Sequence, residues 1–230
     1  MDFTGGALFC ASLIGIRFYD TIMKYLPNKS STQDIQSIVN TLEVLAHPEG
    51  GYFIETYRSG STPMASKGLT AMDGVTMPTE REGCDRNHMT SMIFMATEDA
   101  QGSILYFGKN LSDHVHYYHG GGSYTYITID PATGATKEEV LGPNVVKGEK
   151  LQIVFPHGVY KGGYLNKSDL KENYCLIGEA VAPGFDFRDF QFVTEVEVEA
   201  AVKSKANFDK YLQYVKPDKR RNFDDYYKRN

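Results

Sequence analysis

Cysteine is scarce and poorly placed for cross-linking: only Cys10, Cys84 and Cys175 occur in 230 residues, with no C-x-x-C pair. The odd number and wide spacing argue against a disulfide framework or a structural zinc site and make a reducing compartment the expectation. Cys175 lies in the apolar run YCLIGEAVA, where a buried inert thiol is expected rather than a nucleophile. Positive charge is also short. With 24 basic and 29 acidic side chains the net charge is -5, and no basic stripe exists to follow a phosphate backbone, so no nucleic acid is expected as a partner. The basic cluster Lys219 to Arg221 shares its tail with Asp218, Asp224 and Asp225 and reads as a solvated terminus.

Long hydrophobic runs are missing as well. Ala7 to Ile16 (ALFCASLIGI) stops at Arg17, about half of the roughly twenty residues a membrane span needs. A signal peptide would want a basic start, yet Asp2 is the only charge before this run, and no clear cleavage site follows. The run reads as a packing segment. The protein is expected to be cytoplasmic and off the membrane, with secretion or organelle targeting by this segment left open.

Before the C-terminal region there is one clear helix signal. Ser31, three residues before Asp34, resembles a capping box, and Ile35, Ile38, Val39, Leu42 and Leu45 follow at helical spacing. The sequence His47-Pro48-Glu49-Gly50-Gly51 ends it. Beyond it the pattern turns to short strands: 51–59, 88–96, 103–107, 115–118, 124–129, 138–141, 152–155, 160–163 and 174–181. Residues 60 to 85 read as one loop of about 25 residues, a length often found in lids or interface arms. Residues 196 to 214 read as a last strand leading into a short helix. So many short strands with so little helix predict an all-β antiparallel barrel or sandwich.

Tryptophan is absent, but 16 tyrosines and 13 phenylalanines compensate. Most are expected to pack, with Tyr117, Tyr118, Tyr124, Tyr126, Tyr160 and Tyr164 the ones that could line a cavity. The densest chemistry is in FGKNLSDHVHYYHGG, residues 107–121. On an extended strand His114 and His116 share a face, whereas His119 has the opposite parity.

Four blocks carry a resemblance to a known family: HPEGGYFIETYRS at 47–59, FGKNLSDHVHYYHG at 107–120, LGPNVVKGEKLQIVFPHGVYKGG at 141–163 and VAPGFDFRDFQF at 181–192. Together they resemble the cupin family called DUF985, or cupin type 5. The resemblance implies a double-stranded β-helix (jelly-roll barrel), to which the residue pattern adds an N-terminal helix and a short helical C-terminus. It divides the chain into an extension (1–32), a cupin domain (33–200) and a tail (201–230). It also implies a small-molecule ligand inside the barrel and a homodimer, but no settled reaction, and a fold does not transfer function by itself.

The family block reads F-H-R, then S-D-E, then tryptophan two residues later. This chain has Gly108 for that histidine, His114 for that glutamate and His116 for that tryptophan. The general cupin metal pattern places a glutamate three or four residues after H-x-H, where Gly120 and Gly121 stand here. Two chemistries therefore remain. In one, His116 or His114 acts as a base opposite Tyr118 or Tyr160, as isomerase or epimerase chemistry requires. In the other, His114 and His116 hold a divalent transition metal, with Gln152, Tyr160 or His157 as a third ligand, in an oxygenase or lyase type of enzyme. A non-catalytic binding protein is the third reading. Gln152, Glu49 and Arg58 are the expected ligand-binding residues; His47 and the adjacent glycines read first as a structural turn.

Overall fold

A computed structural model describes residues 35–47, 50–59, 76–79, 85–98, 104–167, 174–202 and 204–220. Contacts divide the chain into Met1–Gln33 and Asp34–Asn230; the first unit, and with it the packing segment and Ser31, lies outside the described residues. So do Glu49 and most of the long loop.

The helix α1 (Ile35–Leu42) forms where its apolar spacing predicts and buries Ile38. It ends earlier than the spacing suggests: Glu43 takes a positive φ of 54°, and Leu45 lies in a strand, 68% exposed. Strand β1 (Leu45–Ala46) pairs with β2 (Tyr52–Arg58). The turn between them is closed by His47 N–H donating to Gly51 O at 2.8 Å and Gly50 N–H to His47 O at 3.0 Å. Gly50 and Gly51 sit at φ 111° and 78°, a region closed to most side chains, so the paired glycines are needed here.

Eleven further strands follow among the described residues: β3 (Thr76–Pro78), β4 (Asp85–Asn87), β5 (Thr90–Thr97), β6 (Ile104–Asn110), β7 (Asp113–Gly121), β8 (Tyr124–Ile129), β9 (Thr136–Leu141), β10 (Gln152–Phe155), β11 (Tyr160–Leu165), β12 (Tyr174–Ala182) and β13 (Phe190–Phe192). One sheet has the order β1-β2-β5-β12-β7-β10, the facing one β13-β6-β11-β8-β9. The chain crosses between sheets at almost every strand, which makes a jelly roll and confirms the expected cupin barrel. The two strands β3 and β4 form a separate hairpin, so part of the expected loop is sheet.

Alternation sorts each strand's side chains. Inside the barrel are Phe94, Leu105, Tyr124, Tyr126, Phe155 and Ile177. The outer face of the first sheet is covered by α1 through Ile38, Val44 and Met95. Behind the second sheet, Phe107, Ile127, Ile129 and Tyr160 pack on Val198, Ala201, Tyr211 and Val215. The last four lie on or beside α2 (Glu195–Ala201) and α3 (Lys205–Tyr211), so the described residues within 196–214 form helices rather than the expected strand. The reason is local: Thr194 and Glu197 form a capping box, and Val198 and Ala201 then fall on one buried face.

Two bulges set the cavity wall. An extra residue on β6 between Leu105 and Gly108 reverses the alternation, turning Phe107 outward and bringing Gly108 and Asn110 to the cavity. On β2 an extra residue between Glu55 and Tyr57 puts Glu55 and Arg58 on one face, where they pair at 2.7 Å.

Two packing predictions follow from this frame. A Cβ at Gly163 on β11 would lie 2.4 Å from the Thr125 carbonyl oxygen, a backbone atom that cannot yield, so Gly163→Ala should destabilise by about 1–3 kcal/mol. Thermal unfolding at unchanged Tm would contradict this. Arg86 and Asp189, each 1% exposed at the side chain, form a two-pronged pair at 2.8 and 2.7 Å that ties β4 to the turn before β13. Asp189→Ala removes the carboxylate paired with a buried guanidinium and should lower stability by about 3–5 kcal/mol, readable as a lower urea midpoint. No helix among the described residues is long and apolar enough to cross a membrane.

Candidate functional site

The two histidines of β7 face inward, as their parity requires. In the sheet, His114 is flanked by Phe155 of β10 and Val181 of β12, and His116 by Ile153 and Glu179. On β12 the inward positions are Cys175, Ile177, Glu179 and Val181, all buried; Glu179 is the one charge among them. From the opposite sheet, Lys161 of β11 reaches across the barrel.

These four side chains converge. His114 Nδ1 lies 2.6 Å from Glu179 Oε1 and His116 Nε2 lies 3.2 Å from Oε2. Lys161 Nζ is 3.0 Å from His116 Nε2 and 3.3 Å from His114 Nδ1, and 3.9 Å from Glu179 Oε1. His116 Nδ1 meets the Tyr126 hydroxyl at 2.7 Å.

One proton arrangement satisfies most of these contacts, leaving the 3.2 Å approach of His116 Nε2 to Glu179 Oε2 without a hydrogen. The 2.6 Å approach of His114 Nδ1 to a carboxylate oxygen requires a proton on that nitrogen. Lys161 then needs another acceptor, and His116 Nε2 is the nearest. That nitrogen must carry the lone pair, so His116 Nδ1–H donates to the Tyr126 oxygen. The result is a carboxylate and an ammonium balanced across two neutral imidazoles.

The titration tendencies agree. Burial lowers the pKa of His114, helped by Lys161 and opposed by Glu179. Burial also pushes His116 down to about 4, against the pull of Glu179. Burial alone would raise the Glu179 pKa, but its contacts with His116, Lys161 and His114 hold it well below the usual carboxylate range.

His114 Nε2 is buried and makes no hydrogen bond, and so is Asn110 Nδ2. Both residues line a cavity of about 360 Å³ inside the barrel, a size suited to a small metabolite. Its walls are largely apolar, with Phe53, Phe94, Phe155 and Phe185 among them. Both atoms are covered by neighbouring side chains, so a polar ligand in the cavity would meet them only after a small shift of those side chains.

The expected site residues divide. His114, His116 and Arg58 line the cavity; Tyr118, Tyr160 and Gln152 do not. Tyr118 donates its hydroxyl to the Gly121 carbonyl at 2.5 Å. Tyr160 neighbours Lys161 in sequence, so alternation sends it to the outer face under the C-terminal helices. Gln152 is exposed on the edge strand β10. Neither tyrosine is therefore the partner of His116; Tyr126 is. His157 is exposed and pairs with Asp113. Arg58 donates to Glu55, Asn87 and the Phe185 carbonyl, so it braces the cavity rim.

Three members were not expected. Glu179 supplies the carboxylate that Gly120 and Gly121 cannot. Its signal was a lone acid at an inward-parity position of an apolar strand. Lys161 had the matching signal, being one residue from Tyr160. The turn residue His47 also faces the cavity, set edge-on to Phe53 and Phe94, and burial pushes its pKa to about 4.

Fold and site define a cupin-type barrel with a buried polar cluster on one wall. The chain belongs to the Cupin superfamily (DUF985), whose family profile it matches over residues 36–193. It is similar to an uncharacterised protein of Saccharomyces cerevisiae, 33% identical over 169 residues that cover 73% of this chain and 79% of that one. Two solved structures share the fold: a hypothetical protein from Leishmania major (TM-score 0.61) and a protein from Shewanella oneidensis (0.59). Each is 24% identical, covering 80% of this chain and 97% of the other.

The cluster itself raises the question of a metal. His114, His116 and Glu179 offer three ligand atoms within 4.8 Å of one another, a donor set that could hold a divalent transition ion. The arrangement around them does not fit one, because the Lys161 ammonium stands between the same atoms.

Proposed function

We propose that the protein binds a small polar or sugar-like metabolite in its barrel and moves a proton next to the metabolite's carbonyl group, as an isomerase does. The observation that carries this reading is the pairing of His114 with Glu179. The carboxylate fixes the proton on Nδ1 and leaves Nε2 with an unused lone pair, shielded from bulk water.

His114 Nε2 would take the proton from the carbon alpha to the carbonyl as the C–H electron pair shifts towards the carbonyl oxygen. The ammonium of Lys161 would stabilise the resulting enolate by donating to that oxygen. The imidazolium, whose Nε2 proton exchanges with water reaching the cavity, then delivers a proton to the former carbonyl carbon, while the proton of the adjacent hydroxyl passes to the former carbonyl oxygen through Lys161 and His116. A single base on one face suits isomerisation. Epimerisation needs an acid on the opposite face, a role left without Tyr118 or Tyr160.

Incubation of candidate hydroxy-aldehydes and ketones in deuterated water tests this. The wild-type protein should exchange the alpha proton, and His114→Gln should slow exchange by about 10²-fold or more. Tight binding with no exchange in any substrate would leave a non-catalytic binding protein. The second reading, a metal-dependent cupin of oxygenase or lyase type using His114 and His116, would require Lys161 to leave the cluster. One bound metal per wild-type chain would support it. The homodimer is part of the proposal, and a monomer by light scattering at micromolar concentration would remove it.

A further inference from the structure

We infer that Lys161 is a built-in cation at the point where a divalent metal would sit, so that the native site rejects metal and removal of the lysine turns it into a metal site. Three observations carry this.

The first is position. Lys161 Nζ stands 3.0 and 3.3 Å from the two imidazole nitrogens and 3.9 Å from the carboxylate, the same three groups that could ligate an ion. A metal at their centre and the ammonium cannot coexist.

The second is spacing. Two ligands of a tetrahedral ion at about 2.1 Å stand about 3.4 Å apart. His114 Nδ1 and Glu179 Oε1 are 2.6 Å apart, drawn together by a shared proton. Metal entry would have to remove that proton and spread the pair.

The third is charge. Glu179 is the carboxylate of the cluster and Lys161 already balances it. A divalent ion beside the ammonium would place three positive charges against one negative in a buried site, which is strongly unfavourable. Without Lys161, the ion would face one carboxylate and two neutral imidazoles, a normal environment for zinc or cobalt.

Lys161 reaches the cluster from a different sheet, paired in register with Gly108. Its removal therefore leaves the β7–β12 ladder that holds the three ligands intact. This inference does not depend on proton transfer, because it is read as bound metal.

The test uses full-length protein purified without a histidine tag, loaded with Zn(II) or Co(II), dialysed and analysed for metal. The wild type should retain less than about 0.1 equivalent, and Lys161→Ala about one equivalent with at least about a hundredfold tighter binding. The Co(II) spectrum of the variant should report nitrogen and oxygen ligands and be lost when His116→Ala is added. Lys161→Met fills the space of the lysine stem and serves if the alanine variant does not fold. Folded variants that hold no metal would overturn the inference. So would a wild type that holds one equivalent and loses it in His116→Ala, a result that needs no lysine variant.

Discussion

Acidification from pH 7 to pH 5 is expected to lower the stability of the folded protein by about 4 kcal/mol. His47 and His116 both titrate near 4 in the folded chain, against 6.5 when free, chiefly because burial disfavours the imidazolium. Between those values the unfolded chain binds two protons that the native one refuses. Each proton tilts the balance towards unfolding by about 1.4 kcal/mol per pH unit. Above 6.5 both states hold neutral rings and the effect vanishes; below about 4 it stops growing. His114 is lowered too and acts in the same sense. The Glu179 carboxyl, held low in the fold, adds a loss that begins only below its free value of 4.5. Since whole domains are stable by about 5–15 kcal/mol, this is a large fraction. Urea unfolding at pH 7, 6 and 5 measures it as a falling midpoint. Replacing His47 by phenylalanine should remove one proton and reduce the slope by about a third to a half. A midpoint constant from pH 7 to 5 would show that these rings are not buried as neutral groups.

The barrel was legible because its strands are short, alternate strongly and are separated by turn residues. What the sequence concealed was mostly parity. Tyr160 and Lys161 belong to one strand, and a one-residue shift decides which faces the cavity. A bulge in β6 reverses the pattern between Leu105 and Gly108, and no residue in that stretch announces it. At the C-terminus, charges alternating with valines at 195–199 imitate a strand, but the Thr194–Glu197 capping box decides for a helix.

The site was half legible for a different reason. His114 and His116 sit two apart in one strand, a local relation that spacing reveals. Glu179 joins them from the neighbouring strand of the same sheet and Lys161 from across the barrel, at positions 63 and 45 residues beyond His116, counted directly along the chain. Only strand pairing shows that Glu179 stands opposite His116. A search for the carboxylate near the histidines was therefore bound to stop at Gly120 and Gly121. Glu179 was still marked by cost: a lone acid on the inward face of an apolar strand must have a partner to be tolerated there.

Glu179→Gln should reduce the plateau rate of proton exchange by about 10²–10⁴-fold and move its acid limb to lower pH. Glu179 holds the proton on His114 Nδ1 and is a positioning residue. A glutamine amide can donate as well as accept, so it no longer dictates the tautomer that leaves Nε2 as the base. The shift of the limb follows from charge. Exchange requires neutral His114, whose pKa is depressed by burial and by Lys161 but raised by Glu179. Removing the carboxylate removes the upward pull, so the ring stays neutral further into acid. Lys161→Met, assayed with chelator present, removes a downward pull and should move the limb the other way, to higher pH. A general loss of structure would shift both variants alike, towards failure at higher pH. Opposite displacements would tie the rate to the field at His114, and limbs that move together would reject His114 as the base.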